Sequence, residues 1–420
     1  MLAVLASSWA LLLGIMLLML GNGIQGTLLG VRGGIEGFSA AEMSYVMAAY
    51  YAGFLMGSRL APDMIRRVGH IRVFSALGSL ISAVLVLYPV APDWIAWAVL
   101  RAVIGFCFCG VYITAESWLN NASTNETRGQ ALSLYMIVQM IGMIASQALM
   151  NLADPAGFEL FILPSVLVSL AFMPILLTTA PAPSFESTKP LSFVMLFRAS
   201  PLGCVGMFLL GGIYAALFGM AAVWGSEAGL SVSQISTYVA LIFAGGLVAQ
   251  YPIGFASDRF GRRRIILALG CAGALVTLAA PVLPLTSAVV FALGLLLGGI
   301  ANPLYALLLA YTNDFLDNSD MAAASAGLIF INGLGAIGGP VLTGWLMVRF
   351  GPSAYFIFMG VLFLALAGYA AWRMTRRAIL GTPLPSGIAV MSTSASSIAV
   401  EAALEAREER ARGRAEGAGR

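Results

Sequence analysis

The sequence has very few charged residues. They make up 10% of its 420 residues, whereas a soluble globular protein carries about a quarter. Hydrophobic residues make up 60%, so the chain is predicted to lie in a lipid bilayer. One helical span needs about 20 apolar residues, which leaves room for roughly a dozen spans. The apolar runs are continuous rather than alternating, which argues against a membrane β-barrel.

Histidine is also scarce, and the cysteines do not form a metal-binding pattern. His70 is the only histidine, which makes catalytic triads and His-rich metal sites improbable. The cysteines lie inside apolar runs without the second pair that a zinc site needs, and we interpret them as small buried side chains. They are Cys107, Cys109, Cys204 and Cys271. The absence of a G-x-x-x-x-G-K-[ST] loop disfavours an ATP-driven pump. The sequence therefore predicts no enzyme, metal, cofactor or nucleic-acid partner.

The apolar segments number twelve and predict an all-α membrane protein of twelve transmembrane helices. Breakers such as Asp154-Pro155 and Phe350-Gly351-Pro352 separate them. The segments are 5–30, 41–60, 71–91, 94–119, 129–152, 158–180, 202–225, 233–256, 265–284, 287–311, 322–347 and 353–373.

The longest internal connection divides six segments from six and predicts two six-helix bundles. The Ser-rich C-terminal segment is expected to be disordered, with a short helix within 398–412, and solvated rather than a docking element. The predicted units are a bundle at 1–180, a cytoplasmic linker at 181–200, a bundle at 201–375 and a cytoplasmic tail at 376–420.

The basic residues predict the orientation of the chain. If the N-terminus is cytoplasmic, only Arg32 and Arg349 of the 22 lysines and arginines fall on the outer side. Arg101 falls within a span, and the others lie on the cytoplasmic side. By the positive-inside rule, both termini are predicted to be cytoplasmic. The expected location is a bacterial inner membrane.

The two halves of the chain align with each other at a shift of 192 or 193 residues. This spacing predicts a duplicated six-span unit with a pseudo-twofold axis along the membrane normal. Two such bundles can rock about a central cavity. The shift pairs Gly69 with Gly261, Gly105 with Gly298, Tyr112 with Tyr305, Asn120 with Asn313, Gln139 with Asn332, and Gly142 with Gly335.

The exit of the eighth segment has the pattern G-x-x-x-D-R-x-G-R-R, from Gly254 to Arg263. With this loop, the segment count and the repeat, residues 5–375 resemble the major facilitator superfamily. The resemblance implies that fold and a latch on the inward side. Its predicted residues are Gly254, Asp258, Arg259, Gly261, Arg262 and Arg263. Simple positive-inside anchoring is the alternative.

The corresponding loop of the first half departs from that pattern. Arg67 and Gly69 remain, but Arg66 occupies the place of the family's aspartate and Pro62 that of its glycine. Asp63 could substitute for the aspartate from another position. The latch is therefore expected to be asymmetric.

The fourth segment contains an intramembrane arginine. Arg101 is followed by Gly105, which partly resembles the fourth-span motif of drug–proton antiporters in the same superfamily. A charged residue in a span normally faces the bundle interior or water. We therefore expect Arg101 in a cavity or coupling role, and the alternative is a structural arginine that bonds to carbonyl groups or snorkels outward.

Glu116 lies near the inner end of that segment. Its Glu-Ser-Trp-Leu-Asn setting resembles the YcaD-like bacterial branch of the superfamily. The carboxylate could carry a proton, but a latch partner for Arg66, Arg67 or Arg72 is the favoured interpretation. In the second half, Asp314, Asp317 and Asp320 could pair with the arginines of 259–264 or form a solvated loop.

The resemblance also implies that the first, fourth, seventh and tenth spans line the cavity. An interhelical hydrogen bond is as compatible with each polar residue there as substrate contact. The nominated residues are Asn22, Gln25, Arg101, Tyr112, Tyr214, Asn302 and Tyr305, with Asn332, Gln139, Gln147 and Gln250 as second-tier candidates.

Together these patterns predict a monomeric secondary active transporter. It would move a small solute by alternating access, driven by a solute or proton gradient, with membrane lipids as its surroundings. If protons are coupled, Glu116 and Arg101 are the first residues to test. The alternative is a membrane receptor or scaffold on the same fold that does not transport. A membrane enzyme is a third class, but the sequence lacks clustered nucleophiles, bases and metal ligands.

Overall fold

The computed structural model describes residues 2–121, 125–176, 193–316 and 318–376, and within these ranges the regular structure is helical. The first half contains α1 (Leu2–Ile35), α2 (Ala40–Val68), α3 (His70–Leu85), α4 (Trp94–Asn121), α5 (Asn125–Leu149) and α6 (Glu159–Leu176). The second half contains α7 (Phe193–Ala199), α8 (Pro201–Tyr214), α9 (Ala221–Glu227), α10 (Val232–Phe260), α11 (Arg262–Ala279), α12 (Ser287–Asn313), α13 (Asn318–Phe350) and α14 (Ala354–Arg376).

Most of these helices are long and apolar enough to cross a membrane. Nine segments of the described chain meet that standard by length and composition. The shorter apolar helices α3 and α6 and the more polar helix α2 complete six crossings in the first half. In the second half, α8 and α9 form one crossing, joined by a π-helical turn at Ala215–Gly219. The predicted fold of twelve spans in two six-helix bundles is confirmed.

The two bundles meet along two seams. Within the first bundle α2 packs on α4 and α1 packs on α5 and α6, and within the second α10 packs on α12 and α8 packs on α13. Between the bundles, α2 packs on α13 and α5 packs on α10, and α1 also touches α9. These contacts surround the centre of the molecule, which leaves space for a cavity between the halves.

The internal repeat is visible in the helix ends. Gly69 and Gly261 adopt positive φ angles of 85° and 88°, a conformation that glycine adopts readily. Each glycine ends one helix, α2 or α10, and the next helix begins at the following residue. The N-termini of α2 and α10 carry matching capping boxes, built from Ser39 with Glu42 and from Ser231 with Gln234. Both caps obey the same 192-residue shift.

Glycines bring the paired helices into backbone contact. A Cβ atom built on Gly105 in α4 would lie 2.0 Å from the Tyr50 carbonyl oxygen, and one on Gly298 in α12 would lie 1.9 Å from that of Ile242. Neither position has room for a methyl group. Because apolar helices gain little from the hydrophobic effect inside lipid, such close packing is a main source of their association.

Several boundaries differ from the predicted ones. Residues 193–199 of the predicted linker form helix α7, and the seventh span is interrupted by the π-helical turn. The remainder of the linker up to residue 192 and almost all of the predicted tail lie outside the described residues. Three cysteines are buried as predicted, but Cys271 is exposed on α11. A lipid-facing helix surface accepts a small apolar side chain as readily as a core does.

Replacing Gly298 with alanine is expected to destabilise the second bundle. The added methyl group would force α10 and α12 apart and lower the free energy of unfolding by about 1–3 kcal/mol. Gly368→Ala is the control, because nothing lies within 4 Å of a Cβ atom there, and it should be neutral or slightly stabilising. Thermal unfolding of the purified variants in detergent measures both effects. Equal stability of the two variants would contradict the close packing of α10 against α12.

Candidate functional site

A cavity of about 200 Å³ lies between the two bundles. Helices α1, α2, α4 and α5 form one wall, and α8 with its π-helical turn, α10, α12 and α13 form the other. The side chains that give the walls their polarity are Asn22, Thr27, Ser58, Arg101, Gln139, Gln147, Asn302 and Asn332. Aromatic rings come from Tyr50, Tyr51, Phe54, Tyr112, Tyr214, Phe218, Phe243 and Tyr305.

Arg101 is the charged side chain among the residues that line this cavity. It is 6% exposed, its Nη1 atom donates to Gln25 Oε1, and its guanidinium carbon lies 4.7 Å from the centre of the Tyr50 ring. Its Nε atom is buried without an acceptor. No carboxylate of the described residues lies within ion-pair distance of Arg101. Removing an ion from water costs several kcal/mol unless a partner compensates it.

Gln25 supports Arg101 from behind the cavity wall. Its Nε2 atom donates to the Tyr88 hydroxyl group at 3.1 Å, and Trp97 Nε1 donates to the Tyr88 carbonyl oxygen at 3.0 Å. Gln25 is 1% exposed and does not line the cavity. The side-chain amide of Gln25 therefore orients the guanidinium group without neutralising its charge.

The other polar groups of the first bundle are joined to each other across helices. Asn22 Nδ2 donates to the Tyr112 hydroxyl group at 3.2 Å, which links α1 to α4. Thr27 donates to Gln147 Oε1 at 2.8 Å, and Gln147 donates to the Gly23 carbonyl oxygen at 3.2 Å, which link α1 to α5. Such bonds satisfy buried polar groups that would otherwise be costly in an apolar surrounding.

In the second bundle the polar wall residues bond mainly to backbone carbonyl groups. Tyr214 donates to the Ala301 carbonyl oxygen at 3.2 Å, and Asn332 donates to that of Met207 at 3.0 Å. Asn302 donates within its own helix to Gly298 at 3.0 Å. The rings of Tyr214 and Tyr305 stack with centres 6.2 Å apart. The second wall is therefore neutral and largely aromatic.

The structure places most of the nominated cavity residues in the wall. Gln25 is the exception among the seven first-tier residues, and among the second-tier candidates Gln250 is buried in α10 outside the wall. The nominated residues in the wall are Asn22, Arg101, Tyr112, Tyr214, Asn302, Tyr305, Asn332, Gln139 and Gln147.

The contribution of α2 was missed from the sequence. Its Tyr50, Tyr51 and Phe54 line the cavity. A signal was available, because a span with adjacent tyrosines is less apolar than its neighbours and needs a partly polar environment. The π-helical turn, which brings Phe218 and Gly219 into the wall, has no comparable signal in the sequence.

Glu116 is fully buried near the inner end of α4. It is 0% exposed, and Tyr135 donates to its Oε1 atom at 3.1 Å. It lies four residues, about one helical turn, after Tyr112, which lines the cavity. The carboxyl group is therefore buried just beyond the cavity wall.

The predicted pairing of Glu116 with Arg66, Arg67 or Arg72 is wrong. All three arginines are exposed, and the recorded partner of Arg66 is Asp63 on its own helix. A direct contact between Glu116 and Arg101 is also ruled out. The two residues are 15 positions apart on α4, which corresponds to about 22 Å along the helix.

Several of the second-half residues that were predicted to form a latch meet around Arg262. This residue is 7% exposed, its Nε atom lies 2.8 Å from Asp314 Oδ2, and its Nη1 atom lies 3.6 Å from Asp258 Oδ1. Arg263 Nε donates to the Tyr311 hydroxyl group at 3.2 Å. The contacts connect the ends of α10, α11 and α12. Of the two interpretations of Asp314, pairing with an arginine of 259–264 is therefore correct, and a fully solvated loop position is not.

The remaining loop residues differ in their roles. Gly254 is buried in α10, and Gly261 makes the turn into α11. Arg259 is exposed, lies 5.9 Å from the Phe260 ring of its own helix, and forms no ion pair with the residues that the structure describes. Asp320 forms no ion pair among the described residues, and Asp317 lies outside them.

In the first half a histidine takes the position of Arg262. His70 follows Gly69 as Arg262 follows Gly261, and it is 2% exposed. Its Nε2 atom lies 3.0 Å from Ser117 Oγ on α4. Arg67 is exposed and does not serve as a buried latch residue. The asymmetry expected from the sequence is present, with His70 and Ser117 in the place of the ion pair.

Comparison with known families identifies both halves of the chain. The model of the Major Facilitator Superfamily matches residues 11–232 and 202–393. An uncharacterised MFS-type transporter, YcaD, from Escherichia fergusonii is 27% identical over 353 residues, which cover 83% of this chain and 90% of that protein. An uncharacterised MFS-type transporter from Yersinia pestis is 25% identical over 362 residues, covering 85% and 93%.

Solved structures share the fold at low sequence identity. A variant of the nucleoside transporter NupG superposes with a TM-score of 0.77 at 14% identity, covering 88% of this chain and all of that one. A bacterial homologue of the human lysosomal transporter Spinster, in an inward-facing and unoccupied conformation, gives 0.68 at 16% identity, covering 96% and 98%.

Replacing Arg262 with glutamine is expected to weaken the latch. The change leaves Asp258 and Asp314 without their shared cation, and breaking a buried ion pair costs about 3 kcal/mol. Arg264→Gln is the matched control, because Arg264 is exposed in the same first turn of α11, on the opposite face of the helix. Thermal unfolding of the purified variants measures the difference. An Arg262→Gln variant as stable as Arg264→Gln would show that this ion pair does not hold the three helices.

Proposed function

The chain belongs to the Major Facilitator Superfamily, and from this premise we propose that it is a secondary active transporter of a small solute. It moves the solute across the bacterial inner membrane by alternating access, as a monomer with both termini in the cytoplasm. The observation that carries the proposal is the cavity between two equivalent bundles. Its walls come from corresponding helices of each half, so a small rotation of one bundle can expose it to either side.

The packing within and between the bundles supports this motion. Inside each bundle, Gly105 and Gly298 bring helix backbones into direct contact. Between the bundles, one end of the seam is joined by Asn151, whose Nδ2 atom donates to Ser236 Oγ at 3.2 Å. Glycines also bring helices of the two bundles close together, since a Cβ atom built on Gly30 would lie 2.9 Å from Val223 N and one on Gly344 2.5 Å from the Ala40 carbonyl oxygen. Rigid halves that meet along two such seams can rock about the cavity.

Protons are the proposed coupling ion, and Glu116 is the proposed carrier. Its carboxyl group is fully buried and accepts a hydrogen bond from Tyr135. It also lies about one helical turn from Tyr112 of the cavity wall. Gaining or losing a proton there changes the charge beside the cavity. Such a change can shift the balance between the two orientations of the cavity.

A receptor or scaffold on the same fold is the second candidate function. It would keep the binding cavity but would not expose it to both sides. Both functions require a binding cavity, so a binding measurement does not distinguish them. They differ in whether the cavity can be reached from both sides of the membrane.

A cysteine in the cavity is expected to be reachable from both sides of the membrane. Ser58→Cys is a conservative change in the wall, made in a chain where the exposed Cys271 is replaced by serine. In oriented vesicles, a membrane-impermeant maleimide applied to either face should label this cysteine. Labelling from only one face under all conditions would favour the receptor or scaffold.

A disulfide across the seam supplies the control for that experiment. A Cβ atom built on Gly34 in α1 would lie 3.4 Å from Ser226 Cβ in α9, close to the usual separation in a disulfide. Oxidation of a Gly34→Cys, Ser226→Cys variant should stop labelling from the side on which these residues lie, while labelling from the other side continues. Reduction should restore it.

Replacing Glu116 with glutamine is expected to remove the effect of a pH gradient on transport. The amide keeps the shape and the bond from Tyr135 but cannot exchange a proton. Solute accumulation in proteoliposomes with an imposed pH gradient measures the change. Glu227→Gln is the control, because Glu227 is exposed and should leave the pH response unchanged. A normal response in Glu116→Gln would refute the proposed carrier.

A further inference from the structure

We propose that the solute recognised in the central cavity is a monoanion with a small apolar body, and that Arg101 binds its negative charge. This inference rests on the proposed function, because it names the class of solute for the same cavity. Four observations carry it: a guanidinium group that forms no ion pair with the described carboxylates, the open space beside it, the charge of the walls and their aromatic surface.

The guanidinium group of Arg101 has binding capacity that the protein does not use. Gln25 accepts one hydrogen bond from Nη1, and the Tyr50 ring covers one face of the group. Nε is buried without an acceptor. A structural arginine would be expected to spend its donors on carbonyl or carboxylate oxygens. A guanidinium group with free donors in a cavity wall fits the planar, two-oxygen geometry of a carboxylate or a similar anion.

The wall next to this group is open. Gly26 lines the cavity, and a Cβ atom built on it would have only Arg101 Nη2 within 4 Å, at 3.8 Å. Gly23, another glycine of the cavity wall, is not open in this way. A Cβ atom on Gly23 would lie 2.0 Å from Ser146 Oγ. The absence of a side chain at Gly26 therefore leaves room for a ligand beside the guanidinium group.

The charge of the walls favours a solute that carries one negative charge. Among the residues that line the cavity, Arg101 is a cation and the others are neutral. A monoanion would neutralise Arg101, whereas a dianion would leave one negative charge uncompensated and a cation would add to the positive charge. Uncompensated charge is strongly disfavoured in a poorly solvated cavity. A neutral solute would leave the guanidinium group unpaired.

The rest of the surface suits an apolar body. Eight aromatic rings line the cavity, and flexible methionines lie among them at positions 19, 47, 140 and 143. Aromatic rings and methionine side chains provide an adaptable apolar surface. The volume of about 200 Å³ is below the range of about 300–1,000 Å³ typical of drug-sized ligands. A body of about one ring is the expected size.

The proposal is tested with matched probes on the purified full-length protein. The monoanions are benzoate, benzenesulfonate and hexanoate, and the comparison compounds are neutral benzamide, cationic benzylamine and dianionic phthalate. At least one monoanion is expected to raise the melting temperature in a saturable way, with benzamide, benzylamine and phthalate having no comparable effect. Titration calorimetry then measures the affinity of the best monoanion.

Three variants and one control separate recognition by Arg101 from a structural role. Arg101→Gln should weaken monoanion binding by about 30-fold or more, and Arg101→Lys should retain part of it because the charge remains. Gly26→Leu keeps the arginine but fills the space beside it, and should also abolish binding. Arg349→Gln, at an exposed arginine, should leave the affinity unchanged.

The outcomes are distinct. The inference is overturned if no monoanion of the set binds, if benzamide or benzylamine binds as well as benzoate, or if both Arg101→Gln and Gly26→Leu bind the monoanion normally. Binding that depends on Arg101 supports the inference even if proteoliposomes fail to move the bound anion. Failure of the proteoliposomes to move the bound anion would instead count against the proposed transport function.

Discussion

Close contact between helix backbones is the constraint on which the rest of this structure depends. In a bilayer, two apolar helices gain little by leaving lipid for each other, so their association requires tight packing. Gly105 and Gly298 provide it at equivalent places, each facing a carbonyl oxygen of the paired helix. The result is two stiff bundles. The seam between them has fewer such contacts, and it is there that a cavity can open.

The polar groups of the spans are arranged around that cavity because lipid cannot solvate them. Asn22, Thr27 and Gln147 bond to neighbouring helices, while Gln25 and Tyr50 hold Arg101. A membrane protein keeps costly groups inside its spans mainly where they serve a function. The unused donor of Arg101 is therefore more informative than its position alone.

Individual residues show how far the sequence could lead. The positions of Asn22, Tyr112 and Tyr305 in the wall were predicted because each is a polar side chain in a span that the family resemblance implies to face the cavity. The partner of Glu116 was predicted wrongly, since closeness along the chain and opposite charge do not reveal which side chains are buried. Likewise, the pattern of the loop drew attention to Arg262 but not to His70, whose burial beside Ser117 only the structure shows.

The sequence by itself determined that the chain lies in lipid, how many spans it has, that its halves repeat and which family it resembles. These properties follow from composition and from spacing along one chain. The tertiary structure decided which groups meet. It placed Gln25 behind Arg101 rather than in the cavity, brought α2 into the wall, and separated Arg101 from Glu116. These results depend on how helices rotate and cross, and that is set by contacts between residues far apart in the chain.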